Sequence, residues 1–154
     1  MLKKILIGLL IVIVISQFVQ PSKNNGEAAS VKDVSQAVFV PDSVMFLLKT
    51  ACYDCHSNRT NYPWYSKITP INWWLKNHVD EGKKHLNFSI FNEYDSKKQD
   101  HKMEEIIEMV AEHAMPLESY LWLHKEAHLT NAQREMIITW ARNSRTAISG
   151  QLQK

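Results

Sequence analysis

The chain has 154 residues, which is enough for one domain of ordinary size. With 45% hydrophobic and 22% charged residues, its composition excludes a fibrous or a wholly disordered chain. The formal net charge is only +2, and Lys3 and Lys4 near the amino terminus account for it. Because nucleic-acid binding requires a basic surplus, we expect no nucleic-acid partner.

The amino terminus has the layout of a secretory signal. The two lysines precede an unbroken apolar run over residues 5–15, which Phe18 and Val19 extend after two polar residues. A basic stretch followed by an apolar one directs export, and the lysines stay on the cytoplasmic side. We predict that residues 1–20 form a signal or a membrane-anchor helix, although the run is short for a hydrocarbon core of about 30 Å. The rest is then expected at the periplasmic face of the cytoplasmic membrane.

Helical periodicity dominates the remainder of the chain. Residues 21–40 are small and polar and predict a linker, followed by a single domain over residues 41–150. No segment alternates as a strand does, so the predicted fold class is all-α, with four or five short helices. The apolar patterns that predict helices cover residues 44–48, 71–79, 103–114, 118–124 and 136–141, and the segments 58–69 and 86–100 are predicted as irregular.

Three local signals predict where helices begin or end. Thr69–Pro70 predicts a helix start, with threonine as the cap and proline at the first helical position. Met115–Pro116 predicts a helix end just before it, because residues that precede proline avoid helical angles. Thr130 and Gln133 predict a reciprocal capping box at the start of the last helix.

The only two cysteines of the chain lie in a C-x-x-C-H sequence formed by Cys52, Cys55 and His56. This is the attachment sequence of c-type haem. Two thiols about one helical turn apart can add to the two vinyl groups at one porphyrin edge, and the adjacent histidine then reaches the iron. We therefore predict one covalently attached haem c with His56 as the proximal iron ligand. Such attachment takes place outside the cytoplasm, in agreement with the leader.

Two other chemistries fit a C-x-x-C pair and stay open at this point. A thioredoxin-like redox pair belongs in a βαβ context, and no strand is predicted. A zinc site could combine both cysteines with His124 and His128, although Cys55 and His124 are much farther apart than the ligands of a zinc finger. Haem attachment is the preferred interpretation.

Met115 is the leading candidate for the distal iron ligand. It follows a predicted helix, and Pro116 holds it in an extended conformation from which its thioether can turn toward a buried metal. Methionine opposite histidine raises the haem potential, which suits an electron carrier. Filling gaps in a core is the more common role of methionine. His78, within an apolar helical stripe, is the second candidate for the ligand.

An aromatic cluster follows the attachment motif closely in sequence. Large flat side chains can shield a porphyrin from water, although they are equally typical of an ordinary small core. The cluster consists of Trp64, Tyr65, Trp73 and Trp74.

Taken together, these residues resemble the bacterial haem-binding domain family that is common in Bacteroidetes. The resemblance covers about residues 41–140 and implies a cytochrome c-like haem domain, which sometimes occurs beside cytochrome c or di-haem peroxidase-like modules. The segments that carry it are Cys52-Tyr53-Asp54-Cys55-His56-Ser57-Asn58, Thr60-Asn61-Tyr62-Pro63-Trp64-Tyr65, Ile68-Thr69-Pro70, Trp73-Trp74, His78-Val79, Gly82, Leu86-Asn87-Phe88-Ser89, Met115-Pro116-Leu117, Tyr120, His124, Ala127-His128-Leu129 and Trp140.

The residues and the resemblance predict a single-haem electron-transfer protein with transient redox protein partners, rather than an enzyme. A haem-based sensor, or an accessory module of a peroxidase-type system, is the alternative. The choice between them depends on whether the sixth iron position is closed by Met115 or exchangeable.

Overall fold

A computed structural model of the chain describes residues 1–27 and 30–152, and the fold in these ranges is helical. Apart from one isolated bridge between Asn25 and Arg59, these ranges contain no strand, which confirms the all-α prediction. Short 3₁₀ helices cover Trp64–Lys67, Phe88–Glu93 and Lys125–Ala127. The α-helices in the described ranges are α1 (Leu2–Ser16), α2 (Val34–Ala37), α3 (Asp42–Ala51), α4 (Tyr53–His56), α5 (Ile71–His85), α6 (Ser96–Ala111), α7 (Glu118–Leu121) and α8 (Asn131–Leu152).

The apolar leader forms α1, which is shorter than the thickness of a hydrocarbon core. Its 15 residues, Leu2–Ser16, rise about 22 Å, against the roughly 30 Å of a hydrocarbon core. None of the helices in the described part of the chain is long and apolar enough to cross a membrane. Beyond the helix, the Gln17 side chain pairs with both backbone groups of Thr69, at 3.1 and 3.0 Å.

Helices α6 and α8 make the most extensive contact of the fold. Met103, Ile106 and Val110 lie three and four residues apart on α6 and therefore share one face, which is buried. Ile137 and Ile148 of α8 are completely buried in the same core cluster. The apolar periodicity predicted for this region is thus confirmed.

The structure confirms some of the helix starts predicted from the sequence and not others. Thr130 and Gln133 form the predicted capping box, with Thr130 N–H donating to Gln133 Oε1 at 2.8 Å and Gln133 N–H donating to Thr130 Oγ1 at 3.3 Å. In contrast, α5 begins after Pro70 without any side-chain cap. Helix α6 begins at Ser96, inside the segment predicted as irregular, because Asp95 Oδ1 accepts the Lys98 N–H at 2.9 Å and caps the helix there.

The segment predicted as a linker, residues 21–40, contributes to the core. Val34 is fully buried and Val38 is 7% exposed. The buried carboxylate of Asp33 accepts a hydrogen bond from the Tyr53 hydroxyl at 3.0 Å, which joins this segment to the attachment motif. Residues 28 and 29 of the segment lie outside the described residues.

A matched pair of valines tests this packing. Val34→Ala should lower the free energy of unfolding by about 2 kcal/mol, because it removes two buried methyl groups and leaves a cavity. Val31→Ala, at a position 78% exposed, should change it by less than about 0.5 kcal/mol. Chemical denaturation followed by circular dichroism measures both values. Equal small effects would mean that the segment is a free tether.

Candidate functional site

The attachment motif forms a single turn directly after α3. Cys52 lies between the end of α3 and the start of α4. Its carbonyl accepts the N–H groups of Cys55 and His56 at 3.2 and 2.9 Å. This turn holds both thiols and the imidazole in one compact element. The predicted spacing of about one helical turn between the cysteines is therefore present.

The two residues between the cysteines secure this turn from two sides. The buried Tyr53 ring stacks on Phe88 with a centroid distance of 5.1 Å, and its hydroxyl donates to Asp33. Asp54 Oδ2 accepts the Tyr120 hydroxyl at 2.8 Å, and its Oδ1 accepts the Asn61 N–H at 3.0 Å. The motif thus connects the amino-terminal segment, the loop that follows it and α7.

The His56 ring is oriented by the end of α5. Its Nδ1 lies 3.0 Å from the Leu86 carbonyl oxygen, and because a carbonyl can only accept, Nδ1 carries the proton. Burial lowers the pKa of His56 below its ordinary value, while hydrogen bonding to the Leu86 carbonyl opposes this shift. The neutral ring keeps the Nε2 lone pair free, which is the form in which histidine ligates a metal.

Gly82 allows α5 to approach the motif closely. A Cβ atom at this position would lie 2.7 Å from the Cys55 carbonyl oxygen and 3.0 Å from the Cys55 Cβ. No other residue type fits at this distance without displacing α4 or α5. The close approach brings the end of α5 within hydrogen-bonding distance of His56.

The predicted haem ligands all line one cavity of about 600 Å³. Cys52, Cys55 and His56 line it, and so does Met115, from the connection between α6 and α7. Its volume is within the range of about 300–1,000 Å³ that is typical of ligand and cofactor sites. Its apolar lining includes Leu48, Ala51, Leu86, Phe88, Ile106, Val110, Leu117 and Ile137.

The chain reverses sharply just before Met115. Helix α6 ends at Ala111, earlier than predicted, and His113 adopts a positive φ of 59°. The Met115 N–H then turns back to the Met109 carbonyl at 3.0 Å. The helix end is therefore set by this left-handed residue before the restriction imposed by Pro116 applies.

None of the four residues of the aromatic cluster lines this cavity. Tyr65 is buried elsewhere, while Trp64 is 75% exposed and Trp73 and Trp74 are about half exposed. Trp73 instead donates its indole N–H to the Val19 carbonyl at 3.1 Å. The cavity is lined mainly by aliphatic side chains together with Phe88 and Tyr120, and carboxylates of Asp54, Glu81, Glu105 and Glu108 also line it.

His78 also lines the cavity, so the structure keeps it beside Met115 as a candidate ligand. Its Nδ1 lies 2.9 Å from the Trp74 carbonyl oxygen, one helical turn away, and the two rings are in contact at 4.2 Å. His85 and His101 line the same cavity.

The dithiol and zinc interpretations find no support in the geometry. Burial raises the pKa of Cys52 to about 12 and that of Cys55 to about 11, whereas a redox-active pair requires a lowered thiol pKa. Within residues 1–27 and 30–152, no three or more His, Cys, Asp or Glu side chains are grouped so that they could hold a metal ion. His124 instead stacks on Tyr120 at 3.9 Å.

Residues 11–143, most of the chain, match the sequence model of a haem-binding domain. The chain belongs to the haem-binding domain family. The resemblance predicted from the motifs is thereby confirmed. Neither the curated proteins nor the solved structures include a significant match to this chain.

The residues present fit a haem. The cavity combines two thiols in one turn, a neutral imidazole with a free Nε2 and a largely apolar lining. The four residues predicted from the sequence, Cys52, Cys55, His56 and Met115, all line this cavity, but the sequence did not indicate roles for Gly82 or for the Leu86 carbonyl. Both act through the backbone, and a glycine within a predicted helix is only a weak signal of such a role.

A pair of glycines tests the packing of α5 on the motif. Gly82→Ala should lower the free energy of unfolding by about 1–3 kcal/mol, because its Cβ overlaps the Cys55 backbone, and it should reduce the haem content of the purified protein. Gly150→Ala, with nothing within 4 Å of its added Cβ, should be neutral or slightly stabilising. Denaturation and haem absorbance per mole of protein measure the two effects. Full haem content with unchanged stability in Gly82→Ala would contradict the proposed packing.

Proposed function

We propose that the protein is a single-haem, c-type cytochrome-like electron carrier of the periplasm. Cys52 and Cys55 hold the haem covalently, His56 is the proximal iron ligand and Met115 is the distal one. The observation that carries the proposal is the shared cavity, in which the attachment turn and the Met115 loop meet although about 60 residues separate them in sequence. Bound haem supplies an iron that alternates between the ferric and ferrous states.

The remaining parts of the site support a carrier in specific ways. The hydrogen bond from His56 to the Leu86 carbonyl and the packing at Gly82 restrict motion of the proximal side, which keeps reorganisation small when an electron moves. A thioether ligand favours the ferrous state. The apolar walls lower the local dielectric constant and limit the access of water.

Export and transient partners belong to the same proposal. Residues 1–20 act as a secretory signal, since Lys3 and Lys4 precede an apolar run, and export brings the thiols to the compartment where c-type haem is attached. Redox protein partners meet the domain through small, weak contacts that allow fast exchange.

One observation favours the alternative of a haem-based sensor. Met115 is only half-buried, and His78, which lines the same cavity, could serve as a ligand in its place. A sensor needs a sixth position that opens to an external ligand, whereas a carrier needs one that stays closed.

Covalent attachment is tested by removing the thiols. The variant Cys52→Ala/Cys55→Ala should carry no haem after denaturing electrophoresis, because no thioether bond remains to hold the group. Haem staining of the gel measures this result. Wild-type protein that loses its haem on the same gel would contradict covalent attachment.

The distal ligand and the carrier function are tested by spectra of the purified protein. The ferrous wild type should be six-coordinate and low-spin, and carbon monoxide should leave its spectrum unchanged. Met115→Ala should keep its haem, bind carbon monoxide and lose potential on the order of a tenth of a volt, a fraction of the roughly 0.8 V over which axial ligands set haem potentials. Carbon monoxide binding to the wild type would favour the sensor. The matched variant His78→Ala should retain the wild-type potential.

A further inference from the structure

The buried side chain of Arg134 lies behind the Met115 loop. It belongs to the first turn of α8 and is only 8% exposed. Its Nη1 donates to the Met115 carbonyl at 2.8 Å and to the Val110 carbonyl at 3.2 Å. Within the described part of the chain, no carboxylate forms an ion pair with this guanidinium.

The position of Arg134 places it beside the cavity wall. Ile137, three residues later and therefore on the same face of α8, is fully buried and lines the cavity. Helix α8 thus carries both a wall residue and, next to it, a cation aimed at the loop. The arrangement connects the α6–α8 core to the predicted distal ligand.

The two carbonyls that Arg134 contacts both lie at or beyond the end of α6, where the regular hydrogen bonding of the helix stops. Val110 lies in the last turn of α6, and apart from Arg134 its carbonyl accepts a long hydrogen bond, 3.3 Å, from the His113 N–H. A cation at this end of the helix also interacts favourably with the helix dipole. The Met115 carbonyl follows the reversal at His113. One guanidinium satisfies both groups, so the end of α6 and the loop are held at a fixed separation.

The burial of this cation is costly in itself. A guanidinium removed from water without a carboxylate partner has to be compensated by hydrogen bonds, and the Arg134 Nε has no partner in the described residues. The two carbonyl contacts of Nη1 offset part of this cost. Such an arrangement is favourable only while the loop keeps its position.

We propose that Arg134 is the positioning residue for the distal ligand, which it holds in place through the backbone of Met115. The inference rests on the proposed function, since it presupposes that Met115 ligates the iron. The hydrogen bonds of Arg134 go to backbone carbonyls and not to the Met115 thioether. Arg134 fixes the loop, so that the Met115 side chain remains over the cavity in both oxidation states.

The test compares variants of the haem-loaded protein by midpoint potential and by titration with imidazole. Arg134→Gln should lower the potential and increase the affinity for imidazole at least about tenfold, because imidazole then displaces the Met115 loop more easily. Arg145→Gln is the matched control, since Arg145 lies on the same helix and pairs with Asp100 and Glu104 at the surface. Its potential and imidazole affinity should equal those of the wild type.

Two further variants separate positioning from charge and from folding. In a Met115→Ala background, Arg134→Gln should produce no further change in potential, whereas a pure charge effect would persist there. Arg134→Lys keeps the charge, but its ammonium nitrogen lies one bond nearer the backbone than Nη1 does, so it should show the same changes to a smaller degree. Circular dichroism checks the fold of each variant.

Several outcomes would overturn the proposal. A folded Arg134→Gln with wild-type potential and imidazole affinity would do so, as would an equal shift in the Met115→Ala background. If Arg134→Gln does not fold, wild-type values for Arg134→Lys would be decisive against it. Failure of the proposed ligand is visible separately, because Met115→Ala alone would then leave the potential unchanged, and the role of Arg134 would fall with it.

Discussion

The hydrogen bond between His56 Nδ1 and the Leu86 carbonyl is the interaction on which the site depends. It fixes the proton on Nδ1, so Nε2 of the neutral ring carries the lone pair with which histidine ligates a metal. The carbonyl is available because Leu86 follows the end of α5 in an extended conformation, with φ −147° and ψ 131°. Its distance from the ring is set by the close packing of α5 on α4 at Gly82. The end of α5 therefore orients the His56 ring, and nothing in the C-x-x-C-H sequence specifies this orientation.

The attachment turn is also a junction of the fold. Tyr53 reaches back to Asp33 in the amino-terminal segment, and Asp54 reaches forward to Tyr120 on α7. Tyr120 comes five residues after Met115, so the segment that carries the proposed distal ligand is tied to the proximal side by one hydrogen bond and to α8 by Arg134. Motion of the loop is thus restricted from two sides, as a carrier with a closed sixth position requires.

The agreement between sequence and structure differs from element to element for physical reasons. The face of α6 was predictable, because Met103, Ile106 and Val110 repeat with the helical period. Its start was not, since Asp95 is one of several polar residues there that could cap a helix. Residue type alone left the role of the aromatic cluster open, and the exposure of Trp64 shows that type does not determine burial.

By itself, the sequence determined the chemistry that is local. Thiols and imidazole separated by one turn can serve as an attachment site wherever that turn is placed, so Cys52, Cys55 and His56 were readable from their spacing. Only the tertiary structure decided which residues share the cavity with them. Met115, Tyr120 and Ile137 lie about 60 to 80 residues farther along the chain, and their positions follow from the packing of α8 on α6 and the reversal at His113. Such contacts depend on long-range packing that no sequence spacing encodes.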